Sequence, residues 1–157
     1  MRLPVIVLLC LVAAALPATL SAKEKTIKRS DVPAPVIAAF EKAYPNATIK
    51  GFTEEQENGK TFYEVESIDG STNRDILYSA DGVVVEMEEG LTLNELPDVV
   101  VRAVKAAYPN GVIKGAENLT KGETTLFEVA VVVGNKKIEV QVDPKGTIVP
   151  ANKPSTS

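Results

Sequence analysis

The sequence contains no histidine and no tryptophan, and its single cysteine, Cys10, lies in the first apolar stretch. Without imidazole there is no histidine base and no histidine-ligated metal, and without a second thiol there is no disulfide framework. Phosphate-cradling glycine loops, nucleophile elbows and cysteine pairs at metal spacing are also missing. Aromatic residues make up only 5% of the chain. Basic residues are the minority charge, 17 Lys plus Arg against 21 Asp plus Glu, for a net charge of −4. That balance argues against nucleic acid as a partner, since phosphate binding needs a clustered basic surface. No cofactor is expected, and the chain is not expected to be an enzyme.

What is present begins with a targeting signal. Met1 and Arg2 precede an apolar run from Leu3 to Leu16, followed by small residues through Ala22. The pattern predicts a secretory signal peptide over residues 1–22, cleaved after Ala22, with an uncleaved anchor as the alternative. The run is short for a span of about 20 residues, so no stable membrane span is expected after cleavage. Cys10 follows Val7, Leu8 and Leu9 rather than the small residues a lipid acceptor needs, so lipidation is not expected. The mature chain, of about 135 residues, would be free of cysteine, stabilised by packing alone, and secreted or periplasmic. The triplets starting at Asn46 and Asn118 match the glycosylation pattern and are assigned no role.

The dominant feature is a duplication: residues 32–85 align without a gap on residues 96–149, at an offset of 64. Ala43, Tyr44, Pro45 and Asn46 match Ala107, Tyr108, Pro109 and Asn110; Ile49, Lys50 and Gly51 match Ile113, Lys114 and Gly115. Pro33, Gly70 and Gly82 match Pro97, Gly134 and Gly146. The expected organisation is a first repeat over 23–89, a linker over 90–95, a second repeat over 96–150 and a disordered tail over 151–157.

Each copy opens with a helix. Pro33 and Pro97 suit a first turn, and Val36, Ile37 and Phe40, or Val100, Val101 and Val104, recur at helical spacing. Pro45 and Pro109 push the residue before them out of helical geometry, so the helices should end near Ala43 and Ala107. Tyr44 and Tyr108 are expected to seal those ends as core residues. Four strands should follow in each copy. Asn58-Gly59 is a strong hairpin turn, Lys121 to Thr124 its weaker counterpart, and Gly70-Ser71 and Gly134-Asn135 suit type II′ turns. The latter two predict cross-strand pairs: Val131 with Ile138, Val129 with Val140, Phe127 with Val142, Val65 with Ile76 and Tyr63 with Tyr78. Counting back from Asn58-Gly59 puts Lys50 on the buried face and Ile49 outside, which suggests a bulge near Gly51. The fold class is α+β: two tandem repeats, each one α-helix packed on a four-stranded antiparallel β-meander. A unit of about 60 residues buries too little surface alone, so the two are expected to pack on each other.

Helix, Tyr-Pro-Asn and four strands in each copy resemble the secreted PepSY-like family, including its β-lactamase-inhibitor-like group. The carriers are Leu96-Pro97, Tyr44-Pro45, Tyr108-Pro109, the Phe62 to Val65 and Leu126 to Val129 strands, Asp81-Gly82 and Lys145-Gly146. The resemblance implies an extracytoplasmic, non-catalytic module that acts through its sheet surface, similar to peptidase propeptide domains and to a two-repeat β-lactamase inhibitor. The sequence holds no peptidase domain, so a propeptide role in cis is not expected. The aromatic, disulfide-closed inhibitory face is not reproduced either.

The same register places Glu64, Glu66, Asp75 and Leu77 on the face away from the first helix, and Glu128, Ala130, Glu139 and Gln141 on that face of the second copy. Phe62, Ile68, Leu77, Leu126 and Val132 should point outward among these carboxylates. The candidate protein-binding residues are therefore Phe62, Glu64, Glu66, Asp75, Leu77, Leu126, Glu128, Glu139 and Gln141, and the expected partner is another protein or peptide. Alternatively, the face is covered by the other copy. Glu66 should lie opposite Asp75, where like charges raise one pKa or hold a cation; a small-ligand or divalent-cation binder is thus the alternative function. Asp69 to Asp75 lacks the glycine and glutamate of a calcium loop and reads as a hairpin. Glu86, Glu88 and Glu89 read as a solvated strand end. A carboxylate-only hydrolase would need a deep pocket, which a flat sheet does not offer.

Overall fold

A computed structural model describes residues 23–150. The expected signal peptide, its expected cleavage site after Ala22, Cys10 and the expected disordered tail over 151–157 lie outside the described residues. No helix among the described residues is long and apolar enough to cross a membrane.

The described chain forms one antiparallel sheet of nine strands in sequential order, with two helices. The strands are β1 (Lys23–Thr26), β2 (Thr48–Glu57), β3 (Lys60–Asp69), β4 (Thr72–Ser79), β5 (Val84–Leu91), β6 (Val112–Lys121), β7 (Thr124–Val133), β8 (Lys136–Val142) and β9 (Ile148–Val149). Helix α1 (Ala34–Ala43) precedes β2, and α2 (Asp98–Ala107) lies in the chain between β5 and β6.

This corrects the expected fold class. Two separate helix-backed four-stranded meanders are replaced by a continuous sheet, because β5 pairs antiparallel with β6 from Glu86↔Lys121 to Leu91↔Ala116. The physical reason is the edge: two meanders lying face to face would leave β5 and β6 with rows of unpaired N–H and C=O groups, whereas edge-to-edge joining satisfies both. Lys121 Nζ also meets Glu86 Oε2 at 2.8 Å across the seam. The halves are therefore joined through backbone pairing instead of packing on each other. Strand β1, for which no sequence signal was found, extends the other side by pairing with Thr53 to Gln56 of β2.

Local rules account for the elements. Pro33 caps α1, and its carbonyl accepts from Val36 N at 3.0 Å. Both helices stop before their Tyr-Pro steps, with Tyr44 N donating to Phe40 O and Tyr108 N to Val104 O at 2.8 Å. The Asn58-Gly59 turn has positive φ at both residues, the type I′ geometry whose twist matches the flanking strands. Each cross-strand pair expected from the Gly70 and Gly134 turns is present. The anticipated bulge falls between Ile49 and Gly51, with a second between Ile113 and Gly115. It returns Ile49 to the helix side, where it packs on the core.

Both helices cover one face of the sheet. Val36 and Phe40 of α1 pack with Val32, Phe52, Val65, Ile76 and Tyr78; Val100 and Val104 of α2 pack with Leu96, Ala116, Val129, Val131, Val140 and Val142. Tyr44 and Tyr108 join these clusters at the helix ends. The opposite face has no helix over it.

Candidate functional site

Alternation along the strands decides what the uncovered face carries, since residues two apart share a side. On β3 these are Phe62, Glu64, Glu66 and Ile68; on β4, Asp75 and Leu77; on β5, Glu86 and Glu88. On β6 they are Glu117, Leu119 and Lys121; on β7, Leu126, Glu128, Ala130 and Val132; on β8, Lys137, Glu139 and Gln141. The register sets them in rows. Glu66, Asp75, Glu88, Leu119 and Leu126 stand side by side across β3 to β7, and Glu64, Leu77, Glu86 and Lys121 form the neighbouring row.

The face is curved, not flat as expected. Glu57 at the end of β2 and Gln141 on β8 line the same cavity of about 380 Å³, together with Glu86, Leu119, Lys121, Thr124 and Leu126. Accumulated strand twist is the cause: nine strands do not stay flat, and here they curl away from the helices into a trough. Curvature buries residues that no helix covers. Leu77 and Leu119 are each 7% exposed and Glu55 4%. Phe62 and Leu126, expected to point outward, are half-buried.

Electrostatics follow from that geometry. Glu88, on the middle strand, has its pKa pushed up to about 8, first by burial and then by the charges of Glu128, Glu117, Glu86 and Glu64. Asp75 is raised by burial and by Glu66 opposite, as the like-charge pairing predicts. Burial and the neighbouring Asp75, Glu128 and Glu139 also raise Glu117. Thr53 Oγ1 donates to Glu66 Oε1 at 3.5 Å, and Gln141 Nε2 donates to Glu128 Oε2 at 2.9 Å. Lys137 Nζ meets Glu139 Oε1 at 2.9 Å. Among the described residues, no group of three Asp or Glu side chains is placed to hold a metal ion.

All nine sequence candidates lie on this face, in two groups. Phe62, Glu64, Glu66, Asp75 and Leu77 belong to β3 and β4, Leu126, Glu128, Glu139 and Gln141 to β7 and β8, with β5 and β6 between them. Sequence reasoning missed the centre: Glu86, Glu88, Glu117 and Leu119. Glu86 and Glu88 are not a solvated strand end; the β5–β6 pairing encloses them, and the Glu86 side chain is 12% exposed. The alternation of Val85 and Met87 with Glu86 and Glu88 was the available signal. Glu89, on the helix side, instead accepts from Arg74 Nε at 2.7 Å.

No family model and no curated protein matches the chain. Solved structures do. A protein of Bacteroides eggerthii described as periplasmic is 22% identical, with a TM-score of 0.65 over 76% of this chain and 86% of its own. A DUF2874 family protein of Bacteroides uniformis is 22% identical, TM-score 0.62, over 76% of this chain and 87% of its own. A BLIP-like protein of Bacteroides fragilis is 26% identical, TM-score 0.59, over 76% of this chain and 84% of its own. The chain thus shares the fold of BLIP-like and DUF2874 proteins, and none of these three is described as an enzyme.

Proposed function

We propose that this chain is an extracytoplasmic, PepSY-like, non-catalytic module that binds another protein through the concave face of its sheet. The observation that carries the reading is the trough itself: a face with no helix over it, apolar at half-buried Phe62 and Leu126 above buried Leu77 and Leu119, ringed by carboxylates and opening on a cavity of about 380 Å³. Surfaces that combine partly buried apolar residues with a polar rim have the anatomy of protein interfaces. The signal segment ahead of Lys23 and the periplasmic description of a structural relative support a secreted or periplasmic location. The BLIP-like relative supports inhibition of an extracytoplasmic enzyme as the consequence of binding.

The nine candidates, from Phe62 to Gln141, act in this reading as contact residues joined by Glu86, Glu88, Glu117 and Leu119. A photo-crosslinking residue at Leu126, used in intact cells, is expected to trap a partner, whereas the same probe at exposed Val83 in the β4–β5 turn is not. Equal yields at the two positions, or none at Leu126, would rule out the trough as the binding surface.

A further inference from the structure

The uncovered face is far more one-signed than the chain as a whole. Glu66, Asp75 and Glu88 stand abreast on three adjoining strands, and Glu64, Glu86, Glu117 and Glu128 surround Glu88 from β3, β5, β6 and β7. The nearby lysines are engaged, Lys121 with Glu86 and Lys137 with Glu139. Among the described residues, no hydrogen bond or ion pair is made by the Glu88 carboxyl. Beside it lie Leu119, directly opposite on β6, and then Leu126.

An occupant must answer both features. A wholly apolar segment would cover the leucines but strip water from carboxylates and leave them unpaired, which is strongly unfavourable. An acidic segment adds repulsion. Lysine and arginine satisfy both demands at once, because the alkyl stem lies on apolar surface while the charged head reaches acceptors.

Resting on the protein-binding reading above, we propose that the partner enters the trough as a basic, extended polypeptide segment, its lysine or arginine stems over Leu119 and Leu126 and its charges among Glu88, Glu117 and Glu128. Arrival of a cation favours the charged form of Glu88, so binding below about pH 8 is coupled to proton release.

The test uses a synthetic peptide with lysine and leucine at alternate positions, its glutamate-for-lysine counterpart, and spermidine as a charge-only control, titrated calorimetrically into the chain from Lys23 onward at about 150 mM salt. The lysine peptide is expected to bind at least about tenfold more tightly than either control. At about pH 6.5 its heat should vary with buffer ionisation enthalpy in the direction of proton release. E88Q/E117Q should weaken it about tenfold and abolish the proton release. Since that change removes repulsion, folding is expected to survive, and the melting temperature checks it. Leu126→Arg, at a half-buried rim position, is a second variant expected to block the peptide. Comparable binding of the glutamate peptide or spermidine, an unchanged affinity in both variants, or no lysine-peptide binding would overturn the proposal. If the Leu126 crosslink forms while the lysine peptide fails, only the basic nature of the partner falls. If the crosslink fails, the protein-binding reading falls with it.

Discussion

The guanidinium of Arg74 lies 4.2 Å from the centre of the Tyr44 ring, joining the end of α1 to β4 beneath it. Arg74 is buried, and its Nε donates to Glu89 of β5 at 2.7 Å. Tyr44 O–H donates to Met87 Sδ at 3.3 Å, so helix end and three strand residues form one cluster. Arg74→Ala leaves Glu89 without its partner and removes the stacking; because Glu89 keeps some solvent, the expected loss is about 2–3 kcal/mol in urea unfolding. Arg74→Met, which refills the volume, should recover about half of it. A loss below about 0.5 kcal/mol would mean that the cluster is not stabilising.

Gly82 lies in the β4–β5 turn at φ +82°, and a Cβ there would stand 2.6 Å from the Pro35 carbonyl oxygen of α1. Gly122 has a similar φ, +59°, with open space around it. Gly122→Ala should therefore cost about 1 kcal/mol, the left-handed penalty alone. Gly82→Ala should cost about 2–4 kcal/mol, because backbone must move as well. Equal thermal destabilisation in the two variants would show that the turn does not press on the helix.

Stability should also depend on pH through Glu88. Its folded pKa, about 8, lies above its ordinary 4.5, so between these values the folded state holds more protons than the unfolded one. The contribution is complete below about pH 4.5 and is lost as pH rises through about 8. Glu88→Gln removes the dependence: little change is expected in acid and a gain of about 2 kcal/mol above pH 8, less than the full shift implies because water in the trough screens the charges. Parallel curves for the two proteins in denaturant titrations from pH 4.5 to 9 would contradict the assignment.

A sheet that runs unbroken across β5 and β6 predicts one unfolding transition. Phe40→Ala, in the cluster under α1, should cost about 3–4 kcal/mol, and Val104→Ala, under α2, about 2 kcal/mol. Each should move the whole transition followed by circular dichroism. Tyr44, Tyr63 and Tyr78 report on the first half and Tyr108 on the second, so a tyrosine signal that separates from the circular dichroism would show that the halves unfold independently.

Much of the local structure was legible because short-range rules control it. The Tyr44-Pro45 and Tyr108-Pro109 steps stop their helices through steric exclusion at the preceding residue. Asn58-Gly59 and Gly70 specify turns, and the turns set the pairs Tyr63↔Tyr78 and Glu66↔Asp75 by counting. Even the Gly51 bulge was visible, as a conflict between turn register and the burial of Ile49. Half of the candidate face was legible for the same reason.

Its centre was not. Whether Glu88 faces bulk water or Leu119 depends on which strand lies beside β5, and no turn links β5 to β6, because α2 intervenes. Residue order alone therefore determined the helices, hairpins and the alternation of acidic and apolar side chains. Only the tertiary structure decided that two exposed edges close on each other, since backbone groups far apart in the chain gain partners only once both halves are formed. From that closure, and from the twist it accumulates, come the trough, the burial of Leu119 and the elevated pKa of Glu88.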